Sequence, residues 1–196
     1  MTQRKIKLLP EFLICVSVFL LIIPIRWMLC WIAAAILHEL FHIIALKLCG
    51  FQILSVSLGA LGAKIDTDAE TGVKSILCAL AGPLAGFLLL FFVRKIPMIA
   101  LCGLFQSAAN LLPIYPLDGG RALKEFIFLI FPAQRANKIA SVIEWIAWII
   151  LFAVSVFGVL KLHLGLLPAF AVLMLFLRKK YLANGAVKRY NIPNRN

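Results

Sequence analysis

Two histidines and a glutamate interrupt an apolar stretch of the sequence in a pattern that suits metal chemistry. His38, Glu39 and His42 form the pattern HExxH within residues 27–48, which are otherwise almost entirely apolar. On a helix, positions i and i+4 lie about 40° apart around the axis and about 6 Å apart along it, so both imidazoles share one face. Such a pair can bind Zn²⁺ while the glutamate, which is not a ligand, handles a proton of the attacking water. The pattern alone also fits two hydrogen-bonded histidines between helices, and a zinc site needs a third protein ligand.

A second polar stretch lies far along the chain, where several residues disfavour regular backbone. Residues 110–121 run Asn-Leu-Leu-Pro-Ile-Tyr-Pro-Leu-Asp-Gly-Gly-Arg, from Asn110 through Asp118 to Arg121. Proline lacks a backbone N–H, and paired glycines favour irregular conformations. At membrane depth, irregular backbone is tolerated only where it is buried in protein or lines a water-filled cavity. The stretch is therefore predicted to belong to a functional site.

The composition indicates a membrane protein. Of the 196 residues, 63% are hydrophobic and only 14% are charged, and the mean hydropathy is +1.02. These values exclude an ordinary soluble domain and favour a polytopic membrane protein. The formal net charge of +12 is then explained by membrane topology, and nucleic acid is not expected as a partner. The five cysteines form no CxxC pair and are predicted to be reduced packing residues.

The predicted fold is an all-α polytopic membrane protein with six transmembrane helices and a small membrane-associated β-hairpin between helices 2 and 3. The first apolar run follows a basic start, but it lacks a small-x-small cleavage site and is expected to be retained. The hairpin, at residues 51–58 and 63–66, is either an ordinary connection or an exposed edge strand that binds an extended substrate. The predicted spans are residues 8–25, 27–48, 75–93, 96–113, 139–160 and 162–177.

The distribution of basic residues predicts the orientation of these spans. With a cytoplasmic start, 16 of the 20 Lys and Arg residues fall on the cytoplasmic side, including those of the basic tail at 178–196. This asymmetry favours a cytoplasmic location for both termini. It also places His42 and Asp118 near the same membrane face. His42 precedes Leu48 by six residues and is therefore expected roughly 9 Å inside the cytoplasmic boundary.

The two motifs together resemble those of the site-2 proteases, which are intramembrane zinc metalloproteases. The resemblance rests on HELFH within an apolar helix and on Asp118, 76 residues after His42, within NxxPxxPLDGG. It covers about residues 29–130, including the hairpin and the segment Ala81-Gly82-Pro83. The chain looks most similar to the sporulation-type bacterial branch, whose members cleave a membrane-associated sigma-factor precursor. We expect one domain over residues 1–196, with its core at 27–131 and without a CBS or PDZ domain.

The resemblance implies both a metal site and an activity. Zn²⁺ would be bound by His38, His42 and Asp118, with Glu39 as the proton-transfer group. Asn110 would orient the substrate or stabilise the oxyanion. The implied activity is hydrolysis of a peptide bond in or near the transmembrane segment of a membrane-associated protein. The expected location is a bacterial plasma membrane, and the expected partners are that substrate, the lipid bilayer, and a regulatory membrane protein or a second copy of the chain.

Other interpretations remain open at this point. The chain could be a catalytically inactive membrane adaptor, or a protein that binds or transports metal without turnover. The presence of Glu39 argues against the inactive form, because loss of the general base is the simplest way to disable such a site. Glu144 is predicted to form a structural pair with a Lys or Arg or to lie in a partly hydrated site, rather than to act in catalysis. His163 is predicted to lie at the opposite membrane interface.

Overall fold

The computed structural model describes residues 5–8, 23–59, 62–67 and 72–161, together with six helical positions between 169 and 179. Within these residues there are five α-helices: α1 is Ile25–Leu48, α2 is Val73–Leu89, α3 is Pro97–Asn110, α4 is Asp118–Ile130 and α5 is Ala133–Leu160. A 3₁₀ turn, Leu90–Phe92, extends α2. Most of the first and sixth predicted spans, and His163, lie outside the described residues.

Three short strands accompany the helices. Strand β1 is Lys5–Leu8, β2 is Ile53–Gly59 and β3 is Gly62–Thr67. β1 pairs in parallel with β2, and β2 pairs antiparallel with β3. The last two strands lie between α1 and α2 in the chain, and β1 precedes both helices.

Three stretches of the described chain are long and apolar enough to cross a membrane. They are Ile25–Leu48, Val73–Phe92 and Ala133–Leu160. The protein is therefore a mainly helical membrane protein. A transmembrane helix needs about 20 residues, and α3 has only 14.

Helix α3 is shorter than the sequence predicted. The predicted span continued to Pro113, but the helix ends at Asn110. The Leu112 N–H donates to the Ala109 carbonyl oxygen at 3.2 Å, which closes a tighter final turn. The residue before a proline disfavours helical backbone, so Pro113 prevents the helix from continuing.

Proline and glycine also set the boundaries of α1. The helix begins directly after Pro24, two residues earlier than predicted. At its other end Gly50 has a φ of 84°, in the left-handed region that favours glycine. The Phe51 N–H donates to the Leu46 carbonyl oxygen at 2.9 Å, and the Gly50 N–H donates to that of Lys47 at 3.1 Å. These bonds form a Schellman-type ending, which turns the chain sharply after the HExxH helix.

The central helix is α2, which contacts α1, α3 and α4. A Cβ added to Gly86 would lie 2.2 Å from the Gly103 carbonyl oxygen of α3, so only glycine permits this approach of the two backbones. The Gln106 side-chain amide of α3 donates to the Trp31 carbonyl oxygen of α1 at 2.9 Å. The buried residues of α2 are mostly small: Cys78, Ala79, Gly82, Pro83, Ala85, Gly86 and Leu89.

Candidate metal centre

The structure brings His38 and His42 of α1 together with Asp118 of α4. All three residues are buried, and one potential ligand atom from each lies within 4.8 Å of the others. His38 Nε2 and His42 Nε2 lie 3.0 Å and 3.1 Å from Asp118 Oδ2, and the two nitrogens are 3.2 Å apart. Residues separated by 76 positions therefore form one compact cluster.

A backbone carbonyl sets the orientation of the His42 ring. His42 Nδ1–H donates to the Cys78 carbonyl oxygen of α2 at 2.7 Å. With the proton on Nδ1, the neutral imidazole carries a lone pair on Nε2, which is the nitrogen that faces Asp118. A hydrogen bond of this kind orients a histidine that binds a metal through its other nitrogen.

The chemistry of the cluster fits a bound cation. Neutral His42 has no proton on Nε2 to donate, and the carboxylate of Asp118 can only accept. A proton or a metal cation between the two atoms accounts for their close approach. Two imidazoles and one carboxylate form a ligand set found in catalytic zinc sites, where a fourth position takes water or substrate.

Helix α2 contributes a glycine to the same cluster. A Cβ on Gly82 would lie 2.2 Å from His42 Nε2 and 2.6 Å from His38 Nε2. In the sequence, Gly82 belongs to a group of small residues at 81, 82, 85 and 86 that predicts close packing between helices. The sequence feature that could have indicated this contact with the histidines is a glycine followed by a proline inside an apolar span.

Close backbone contacts position Asp118 at the start of α4. The helix begins at Asp118 itself, whereas the sequence predicted irregular backbone in this stretch. A Cβ on Gly119 would lie 2.1 Å from the Leu111 carbonyl oxygen, and one on Gly120 would lie 2.4 Å from the Ile114 carbonyl carbon. The two glycines are helical, and their role is to let α4 press against the preceding turn.

The two predicted catalytic residues lie on the same elements as the ligands or directly beside them. Glu39 follows His38 in α1 and is half-buried. Asn110 is the last residue of α3, also half-buried, and residues 111–117 connect it to Asp118. Their catalytic roles stay predictions. Arg121 Nη1 lies 4.0 Å from Asp118 Oδ1, which is too long for a hydrogen bond.

Glu144 belongs to a separate cluster. Its Oε1 lies 2.8 Å from Lys179 Nζ, which confirms the predicted pairing with a basic residue. Trp148 and Phe176 stack edge to face beside the pair, with ring centroids 5.9 Å apart. The pair therefore helps to join α5 to the helical residues near the end of the chain.

Comparison with known proteins gives two curated relatives. No family model matches the chain. It is 26% identical over 151 residues to a putative zinc metalloprotease from Synechocystis, covering 66% of this chain and 39% of the relative. It is 28% identical over 149 residues to a zinc metalloprotease from Methanocaldococcus jannaschii, covering 68% of this chain and 43% of the relative. The chain thus spans about two-fifths of the length of these relatives.

A solved structure shares the fold. The site-2 protease from Methanocaldococcus jannaschii matches with a TM-score of 0.65 and 22% sequence identity, covering 90% of this chain and 89% of that one. The names of the relatives agree with the predicted resemblance to site-2 proteases. The zinc in two of those names also agrees with the ligand set of His38, His42 and Asp118.

Proposed function

We propose that this chain is a zinc-dependent intramembrane endopeptidase of the site-2 protease type. The observation that carries the proposal is the convergence of His38, His42 and Asp118 within a helical membrane protein. Buried ionisable groups are costly in a membrane, so three that share one site have a functional reason to be there. The metalloprotease names of the relatives supply the reaction class.

The residues of the chain divide the chemistry among them. His38, His42 and Asp118 would hold Zn²⁺, which when bound would supply the Lewis acidity for peptide hydrolysis. Glu39 takes a proton from the attacking water and delivers it to the leaving amine. The side-chain N–H of Asn110 donates a hydrogen bond to the substrate carbonyl oxygen and stabilises the oxyanion that develops there. The Cys78 carbonyl holds the His42 ring in the orientation that ligand binding requires.

The proposed setting is a bacterial plasma membrane. The single domain would have six spans and a membrane-associated hairpin, with both termini in the cytoplasm. The three apolar helices and the predominance of basic residues on one side support this topology. The active site would open toward the cytoplasm, because hydrolysis needs water at a site surrounded by lipid.

The proposed substrate is a membrane-associated protein, and a sigma-factor precursor or another regulator is the candidate class. A helical peptide bond is shielded by its own backbone, so the substrate must unwind near the cleaved bond. The outer edge of β3, which is the last strand in the order of the described sheet, would hold the unwound segment by backbone hydrogen bonds. A regulatory membrane protein or a second copy of the chain would control access.

The decisive experiment combines metal analysis with proteolysis. The wild-type chain and Glu39→Gln are purified in detergent, and their zinc content is measured. Each is then incubated with a single-span model substrate that contains helix-breaking residues. We expect about one zinc per chain in both proteins and cleavage only by the wild type, with a fall in rate of about 10²–10⁴ in the variant. A chelator should abolish cleavage, and added zinc should restore it.

The other outcomes separate the alternatives. Zinc binding by the wild type without cleavage of any membrane substrate would favour a metal-binding or transport protein. A well-folded wild type without zinc would favour a membrane adaptor. Cleavage by Glu39→Gln at the wild-type rate would contradict the assigned role of Glu39.

A further inference from the structure

One turn of α2 contacts both nitrogens of the His42 ring. The Cys78 carbonyl oxygen accepts the Nδ1 proton at 2.7 Å. Gly82, one turn later, has its α-carbon beside Nε2, because a Cβ there would lie only 2.2 Å from that nitrogen. The first contact orients the ring, and the second leaves its other nitrogen accessible.

The missing side chain of Gly82 leaves space that a ligand-bound ion needs. An added Cβ would lie 2.2 Å from His42 Nε2 and 2.6 Å from His38 Nε2. Zinc–nitrogen bonds are about 2.0–2.1 Å long. A carbon at that position would therefore compete with an ion for the space beside the same two nitrogens.

Gly82 faces different neighbours from Gly86, the other glycine of α2. The three atoms nearest to an added Cβ at Gly82 all belong to the imidazoles of His38 and His42. At Gly86, in the same helix, the nearest atoms belong to α3, among them Ser107 Oγ at 2.1 Å. Glycine is also disfavoured relative to alanine inside a helix, so helix formation does not account for Gly82.

We propose that Gly82 is a positioning residue of the metal centre. Its lack of a side chain keeps the ion-binding space open, while the preceding turn fixes the His42 ring through the Cys78 carbonyl. The inference rests on the proposed zinc-dependent function. It goes beyond that function by assigning a residue of α2 that supplies no ligand atom.

The test compares two glycine-to-alanine variants by their affinity for zinc. Gly82→Ala places a methyl group against the imidazoles. Gly103→Ala is the control for a methyl group added between helices, because the atoms nearest to its Cβ are Leu89 Cδ1 at 2.7 Å and the Gly86 α-carbon at 3.3 Å, and none of the three nearest atoms belongs to the ligand cluster. We expect wild type and Gly103→Ala to bind about one zinc per chain, and Gly82→Ala to bind zinc about 10–100-fold more weakly, as measured by competition with a chelator.

A second measurement excludes general misfolding as the cause. The melting temperature of metal-free protein is compared for Gly82→Ala in the wild-type background and in a His38→Ala/His42→Ala background. We expect the substitution to lower the melting temperature only where the imidazoles are present. An equal loss in both backgrounds would overturn the inference.

The results also separate this inference from the proposed function. Wild-type affinity in Gly82→Ala would overturn the role of Gly82 and leave the zinc site intact. Absence of zinc from both wild type and Gly103→Ala would overturn the role of Gly82 and also the proposed zinc-dependent function.

Discussion

Helices α2 and α5 are both long and apolar enough to cross a membrane, yet they occupy different places in the fold. Helix α2 contacts α1, α3 and α4, whereas the strongest described helix contact of α5 is with α4. The residues buried on α2 are Cys78, Ala79, Gly82, Pro83, Ala85, Gly86 and Leu89. On α5 they are only Ala136, Ser155 and Gly158, although α5 is much longer.

Residue size, more than apolarity, distinguishes the central helix α2 from α5, because the two helices are similarly apolar. Lipid tails are as apolar as leucine, so hydrophobicity gives no reason for one apolar helix to prefer protein over lipid. Small residues allow close backbone contact, and α2 presents them on its packed faces. Helix α5 instead exposes large side chains such as Trp145, Ile149 and Phe152.

The largest expected contrast is between Asp118, in the cluster beside α2, and Glu144, on α5. Asp118→Ala removes a proposed ligand from the core, so zinc should be lost and cleavage should fall by at least about 10³. Glu144→Ala removes only the partner of Lys179 on α5, so zinc content should stay at the wild-type value. Because this pair is partly exposed, we expect its loss to cost less than about 1 kcal/mol of unfolding free energy. Zinc loss in Glu144→Ala would contradict the separation of the two regions.

Two asparagines give a smaller contrast in rate. Asn110→Ala removes the proposed oxyanion donor, and such a loss typically lowers the rate by about 10²–10³. Asn137→Ala is the matched control, because Asn137 is exposed near the start of α5. Single-turnover cleavage should distinguish the variants, with full zinc content in both. Equal rates for Asn110→Ala and the control would assign Asn110 to a structural role.

The smallest expected contrast concerns stability. Gly86→Ala forces a methyl group against the α3 backbone, and overpacking of this kind typically costs about 1–3 kcal/mol. Ile150→Ala changes a residue of α5 that is 57% exposed, and it should cost less than about 0.5 kcal/mol. Denaturant titration in mixed micelles measures both. A loss of unfolding free energy above about 0.5 kcal/mol for Ile150→Ala would show that α5 makes packing contacts beyond the described ones.

The motifs that carry the resemblance to site-2 proteases predicted the grouping of His38, His42 and Asp118. His38 and His42 are one helical turn apart, and the alternation of spans brought Asp118 to the same side. The three residues do form one cluster. The predicted pairing of Glu144 with a basic residue was likewise confirmed.

Other features depend on information that the sequence does not display. The Cys78 acceptor is a backbone carbonyl, which every residue has, so no residue type marks it. Small residues at 82 and 86 look alike in the sequence, but one faces the imidazoles and the other faces α3. The glycines after Asp118 suggested irregular backbone, whereas close contact explains them. Which neighbour a glycine approaches is decided by the packed fold.

Because α3 is short, the thickness of the surrounding bilayer affects the region of the proposed site. Its 14 residues rise about 21 Å, while the hydrocarbon core of a bilayer is about 30 Å thick. In the proposed six-span topology, a helix with this hydrophobic mismatch would be accommodated by a response such as local thinning of the bilayer. The thinned region would lie beside Asn110, where the chain leaves the helix and turns toward Asp118. In the proposed protease, bilayer thickness, and with it lipid chain length, would then affect how far water must travel to reach the reacting bond.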